Sequence, residues 1–445
     1  MIKQYVGEFC REARKHGISR LNFYLVESLS RDLSVYNGEL ENLVRAEQSL
    51  MFVEGLVGEN SGSVFVENLD PALMEEHIRA ILESAEACPG KFFPYELEGL
   101  EGIPDLESCF PDLDMTVQAM CRAEQTAYAF DSRIKPGAQV HMEQMQRRVT
   151  LANEQEIFAA DVEFGGTASI RLAVQDGQMI QPGGGREHFL RGEFPDMDKL
   201  ARKAAEGAVS RLGAGSYRTG HFPVVLDARV VAELLNAFMP AFFARNVQSR
   251  MSALAGRMGQ KLAAECISIV EDPALPKGFS SRRFDDEGIS TSAKTIIDKG
   301  VLNCWLYNRQ SAREEGIASS GNGFKGQFND AVSTGYTNVY IPQGMSTRAQ
   351  LLEHLGDGLL ITGVSGVFAG AKPNSGDFSL ISSGYRVENG RQAKAVSQIT
   401  IAGNFFEMLN NVLEVADDEH WICTYSGNVR TPSLRISGLA ISGKE

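Results

Sequence analysis

Four short stretches of this chain carry residue types that could do chemistry. The run "GNGFKG", Gly321 to Gly326, satisfies a GxGxxG dinucleotide fingerprint letter by letter. Such a loop must open a helix whose N-terminus holds a pyrophosphate, and here it leads into the strand-like "QFNDAVSTGYTNVYI", so a glycine-rich turn is the expectation. The run "PGGGREH", Pro182 to His188, reads as a mobile hairpin loop. In "FDDEG", Phe284 to Gly288, three successive carboxylates could bind a hard cation or act as acid and base. An extended backbone sends neighbours to opposite faces, which leaves Asp285 and Glu287 to converge; a turn whose aspartates bond nearby N–H groups accounts for the residues equally. His420-x-x-Cys423 offers two soft ligands, but no second His/Cys pair stands at metal-ligand spacing, and the G-x-S-x-G elbow of serine hydrolases is missing.

Composition narrows the function classes. The 445 residues, 43% hydrophobic and 22% charged, suit a globular protein of two or three domains. A formal net charge of −14 opposes binding to a phosphate backbone, so no nucleic-acid partner is expected, and Arg147-Arg148 and Arg282-Arg283 read as solvated faces. Glu8 and Glu12 interrupt any signal-like apolar run, and no segment approaches the ~18 apolar residues of a membrane span. Seven scattered cysteines without CxxC spacing fit reduced thiols, hence a cytoplasmic location without membrane contact.

The elements that must position these residues have readable signals. Ile2, Tyr5, Val6, Phe9, Cys10 and Ala13 trace a helix face that Gly17 ends. Strands follow, with Asn37-Gly38 as a hairpin turn. Asp70-Pro71 opens a helix to about Ala87, another lies near 113–132, and residues 139–180 read as a meander with turns at Ala152-Asn153, Gly165-Gly166 and Asp176-Gly177. A helix ending at Gly213 precedes the linker-like "AGSYRTG", which sets a boundary between an N-terminal α+β domain, residues 1–213, and a β-rich C-terminal domain, residues 220–445. Helices and strands do not alternate regularly, so the fold class is α+β with antiparallel sheets.

One amphipathic run, "ELLNAFMPAFFARNVQSRMSALAGRMGQ" from Glu233 to Gln260, is conspicuous for an apolar helical stripe with nothing that titrates near neutral pH. Together with "VVLDARVVAELLNAF", "EDPALPKGFSSRRFDDEG", "IIDKGVLNCWLYNRQSA", "TNVYIPQG", "GDFSLISSGYRVENG", "ITIAGN" and "PSLRISGLAISG", it resembles the TldD/PmbA family, in its PmbA (TldE) branch. The resemblance implies a two-domain α+β architecture and a tie to metallopeptidase complexes, with the family's older label as a modulator of DNA gyrase. In the TldD branch this helix carries HExxxH, two metal-binding histidines and a general-base glutamate. The matching positions here are Leu235, Asn236 and Pro240, so this chain is expected to hold no catalytic residue and no metal. Pro240 should stop or kink the helix.

What the resemblance implies is a non-catalytic subunit of a cytosolic peptidase complex. A TldD-like catalytic partner supplies a metal, zinc by expectation, and an unfolded peptide is the substrate; a homodimer is the form expected alone. Asp285, Glu287, Asn338 and Asn404 are the substrate-binding candidates. The alternatives are a stand-alone peptide-binding or regulatory module, or a hydrolase using Asp285, Glu287 or His420 with Cys423.

Overall fold

The structure, a computed structural model, describes residues 2–87, 90–326, 328, 330–424 and 427–444. Helix α1 (Ile2–Lys15) buries Tyr5, Val6, Phe9, Cys10 and Ala13, and the chain leaves it through Gly17 at a φ of 82°. Strands β1 (Ile18–Tyr36) and β2 (Glu39–Val57) are joined by Asn37 and Gly38, both at positive φ, as a two-residue hairpin turn requires. Strand β3 (Asn60–Val66) follows, and Asp70 then caps a single 3₁₀ turn, Pro71–Leu73, that runs into α2 (Met74–Ala87). After α3 (Leu113–Phe130) come β4 (Gln139–Asn153), β5 (Phe158–Asp176), β6 (Met179–Phe189) and α4 (Met197–Ser210).

The six strands form one antiparallel sheet in the order β3-β2-β1-β4-β5-β6. Alternation along β4 decides its two faces. Val140, Met142, Gln144 and Gln146 are buried toward the helices, whereas His141, Glu143, Met145 and Arg147 point the other way. Apolar side chains from α3 and α4 pack on one half of the covered face, and those of α1 and α2 on the other. The opposite face is polar from His141 to Arg147, carries an apolar patch of Tyr24, Val149 and Leu151 against Phe284, and meets the second half of the chain.

Two glycine-based expectations are overturned. Gly165-Gly166 is no turn; it lies within β5, opposite Met145 and Gln144 of β4. Nor is the 182–188 run a loop, because it forms β6. The reason in both cases is close packing. A Cβ on Gly166 would stand 2.3 Å from the Phe189 ring, and one on Gly183 would stand 2.4 Å from the Ala208 methyl of α4, so only glycine lets these surfaces approach.

The second half begins with β7 (Gly220–Leu226) and α5 (Ala228–Phe238), whose N-cap Asp227 accepts the Arg229 N–H. The helix breaks at Pro240, as its sequence leads one to expect. It stops at Phe238, continues as a 3₁₀ turn (Met239–Phe242) with Pro240 at its start, and resumes as α6 (Ala244–Gln248). A proline ring clashes with the preceding turn and offers no N–H, which explains the stop.

Then come β8 (Ile269–Glu271), β9 (Lys294–Asp298), β10 (Val301–Leu302), β11 (Gly323–Phe324), β12 (Ser333–Thr334), β13 (Asn338–Tyr340), β14 (Gly358–Ser365), β15 (Ala371–Lys372), β16 (Asp377–Glu388), β17 (Arg391–Asn404), β18 (Val412–Val415), β19 (His420–Thr424), β20 (Gly427–Thr431) and β21 (Leu434–Ser442). One sheet runs β14-β7-β21-β17-β16-β15, with β18 also on β21, and another runs β10-β9-β8-β13-β20-β19. Helix α5 lies between them, against β14 on one side and β19 and β20 on the other. Val230, Val231, Leu234, Leu235 and Phe238 are fully buried there. At roughly 1.5–3 kcal/mol for each large apolar side chain removed from water, this stripe makes α5 a central stabilising element of the half. Gly321 to Gly326 forms a turn and the two-residue β11, paired with β12, so no helix follows to hold a pyrophosphate.

Candidate functional site

A cavity of about 680 Å³ lies between the polar face of the first sheet and the second half of the chain. Its floor is built by β4 and β5, through His141, Glu143, Met145, Arg147, Glu163, Thr167 and Ser169. Phe279 and Ser280 come from the loop after β8, and Tyr336, Cys423, Thr424 and Asn428 from around β13, β19 and β20. The walls are held by bonds between the halves. The Ser280 hydroxyl donates to Glu163 Oε1 at 2.5 Å, and the Arg283 N–H and Nε donate to the two oxygens of Asp161 at 2.7 Å each.

Helix α5 reaches this wall at Asn236. The Tyr336 hydroxyl donates to Asn236 Oδ1 at 2.6 Å, and the Thr424 hydroxyl lies 3.5 Å from the same oxygen. Burial raises the Tyr336 phenol above its usual range, which keeps it protonated and fixes it as the donor. On either side of Asn236 the helix is closed to ligands. Leu235 is fully buried in the core, and Pro240 begins the 3₁₀ turn, with its carbonyl accepting Asn246 Nδ2 at 2.7 Å.

This donor set does not fit a metal. Leu235 has no lone pair, the amide oxygen of Asn236 is committed to Tyr336, and an amide nitrogen accepts no proton as a general base. Among the described residues a group of potential ligands does occur at Glu12 of α1, His16 just past its end and Glu75 in the first turn of α2, where it is largely exposed and has no part in the cavity.

The remaining sequence candidates are placed as follows. Asp285 is sealed in a turn: Oδ1 accepts the N–H groups of Glu287 and Ile289, and Oδ2 accepts that of Gly323 at 2.8 Å. Burial, then the neighbouring Glu287 charge, push its pKa up to about 7. Glu287 does not converge with it on open space, because Oε2 accepts the Arg309 N–H at 2.6 Å. Asn338 is buried and holds the loop of Phe279 and Ser280: Nδ2 donates to the Ser280 carbonyl at 2.7 Å and Oδ1 accepts the Ser280 N–H. Asn404 caps the short helix Phe405–Asn410 and donates to Ser375 O and Asp377 Oδ1. None of these four is a wall of the cavity.

His420 and Cys423 stand three apart on β19, so their side chains leave opposite faces. Cys423 faces the cavity, and burial pushes its thiol up to about 12, which keeps it protonated and weakly nucleophilic. Burial also depresses His420, aided by Arg229. No catalytic pair arises.

The residues that do form the site were in view but misread. Arg147-Arg148 and Arg282-Arg283 are not solvated faces. Alternation splits each pair: Arg148 bonds Glu27 at 2.8 Å and Arg283 bonds Asp161, whereas Arg147 and the 5%-exposed Arg282 line the cavity. The signal was the period-2 set His141, Glu143, Met145, Arg147, a polar face opposite an apolar one.

An α+β protein of two halves, with an apolar helix behind a polar cavity, is the class this geometry defines. Residues 219–443 match the family model of the PmbA/TldA metallopeptidase C-terminal domain, half of the chain, and the chain belongs to that family. Metalloprotease PmbA of Escherichia coli O157:H7 is 27% identical over 417 residues, spanning 91% of this chain and 89% of that protein. A metalloprotease TldD homolog of Haemophilus influenzae is 22% identical over 88% of this chain and 86% of its own length. Among solved structures, a Thermotoga maritima protein described as a proposed modulator of a DNA gyrase superposes with a TM-score of 0.87 at 26% identity, covering 99% of this chain and 100% of that one. TldE from Thermococcus kodakarensis gives 0.85 at 19% identity, with the same coverage, and so shares the fold.

Proposed function

We propose that this chain is the metal-less, non-catalytic subunit of a TldD/TldE-type peptidase pair, and that its cavity helps enclose an unfolded peptide. The observation that carries the reading is Asn236. It stands where the TldD branch places its general base, and its oxygen is held by Tyr336 at 2.6 Å while Leu235 beside it is lost to the core. A TldD-like partner then supplies the metal, zinc by expectation, and the hydrolytic water. A floor of polar side chains from β4 and β5 offers an extended peptide hydrogen-bonding groups along its length. No helix of the described residues is long and apolar enough to cross a membrane, and the formal charge of −14 is unsuited to a nucleic-acid partner; the cytoplasm is the proposed location.

The test is cleavage of an unstructured peptide by this full chain alone, by a TldD-like chain alone and by the two mixed, with elemental analysis of each. Efficient turnover should require the mixture, and this chain should hold well under one equivalent of metal. Chelator-sensitive turnover by the unmixed chain, or one firmly held zinc per chain, would overturn the proposal.

A further inference from the structure

The charge on the cavity wall differs in sign from the rest of the molecule. Its lining includes five Lys and Arg side chains against four carboxylates, in a chain whose formal net charge is −14. Within that lining two guanidinium groups are incompletely satisfied. Arg147 donates Nη2 to the Tyr24 hydroxyl at 3.0 Å, and its Nε is buried without a partner. Its cross-strand neighbour Glu163 is taken by Ser280, and among the described residues no carboxylate makes an ion pair with Arg147. Arg282 pairs with Asp286 at 2.8 Å through Nη2, and its Nε is likewise buried and unpartnered.

Glu163 and Asp286 lie near enough to favour the charged form of Arg147, but neither makes an ion pair with it, so its fork keeps donors to offer a ligand. A planar fork is suited to a carboxylate, which it holds by two parallel bonds. Tyr24, Arg282 and Asp286 are all 5% exposed or less, so the cavity closes behind Arg147. A blind end accepts the end of a chain more readily than its middle.

We infer that Arg147, seconded by Arg282, forms a carboxylate subsite at the inner end of the cavity, and that its ligand is the C-terminal carboxylate of the enclosed peptide. The assignment rests on the peptide-enclosing reading above and names the part of the peptide that this chain recognises. An acidic side chain shares the chemistry and is separated from it by experiment.

The experiment is fluorescence anisotropy with the full chain and three labelled unstructured peptides: one with a free C-terminal carboxylate, its C-terminal amide, and an amide bearing one glutamate near its end. The free acid should bind about tenfold or more tightly than the plain amide, since a charge-assisted bidentate contact is lost with the carboxylate. Arg147→Met should bring the acid to the amide's level in a variant that still melts cooperatively. Arg147→Lys should keep part of the preference, having a charge but no fork. Equal binding of acid and amide, or a preference untouched by Arg147→Met, would overturn the subsite while leaving peptide enclosure standing. Glutamyl amide binding as tightly as the acid would overturn the C-terminal assignment. Failure of all three peptides to bind, with or without a TldD-like partner, would remove the subsite and the enclosing role together.

Discussion

The Tyr336 hydroxyl and the Asn236 side-chain oxygen, a hundred residues apart in sequence, share a 2.6 Å hydrogen bond that ties α5 to the cavity wall. Tyr336 is buried, and without Asn236 its hydroxyl is left with Thr424 and the cavity. Asn236→Leu should therefore cost about 1 kcal/mol, the loss of one hydrogen bond. Tyr336→Phe added to it should recover much of that loss. Urea midpoints of the four proteins in the cycle measure the coupling; strictly additive losses would show that the bond contributes nothing of its own.

Asn404 separates a structural role from a binding one. Its side chain accepts the Phe406 and Glu407 N–H groups and donates to Ser375 O and Asp377 Oδ1, all outside the cavity. Asn404→Ala should lower stability by about 1–2 kcal/mol, as loss of an N-cap does. Peptide affinity should not change. A several-fold loss of affinity in a variant that still melts cooperatively would return Asn404 to the binding site.

Local chemistry explains what could be read in advance. Asn37-Gly38 needs only its own two residues to make a hairpin turn, Asp70 only the next two to cap one, and Pro240 only its ring to stop α5. Gly166 and Gly183 look the same in sequence as turn glycines. They lie flat in strands because Phe189 and Ala208, more than twenty residues away, close on them. The site divides in the same way. That Leu235, Asn236 and Pro240 offer no imidazole or carboxylate is plain from the residues themselves, whereas the partnership of Asn236 with Tyr336 depends on how two sheets meet around α5. Arg147 was hidden by its neighbour: a basic pair looks like a solvated face until the strand's alternation sends Arg148 to Glu27 and Arg147 inward.

Two glycines, one facing α4 and one within it, should respond in opposite senses. Gly183→Ala would place a methyl 2.4 Å from Ala208 and 2.9 Å from Leu172, forcing β6 and α4 apart, and should cost about 1–3 kcal/mol by overpacking. Gly207 lies within α4 with open space at its Cβ position, so Gly207→Ala should gain about 0.5–1 kcal/mol from helix propensity. Thermal midpoints should move down for the first and up for the second. A neutral Gly183→Ala would mean that the contact between β6 and α4 is looser than described.

The acid limb of stability should depend on His188. Its ring is packed edge-on to Phe279 at 5.8 Å, and Nδ1 shares a 3.0 Å hydrogen bond with the Thr167 hydroxyl. Burial first, then the charges of Arg186 and His420, hold its pKa down at about 4. The unfolded chain takes up a proton at about pH 6.5, so below that pH the unfolded state binds more protons than the folded one. Stability from a neutral His188 is therefore fully present above pH 6.5 and is lost progressively as pH falls toward 4. Gln keeps a hydrogen-bonding group but cannot titrate. Relative to wild type, His188→Gln should lose less stability between pH 7 and pH 4, by a difference on the order of 2 kcal/mol, with the two proteins diverging only in that window. Urea midpoints taken at half-unit pH steps give the two curves. Parallel curves across the whole window would mean that His188 takes up its proton within the folded protein as readily as outside it, and that the seal formed with Phe279 admits water.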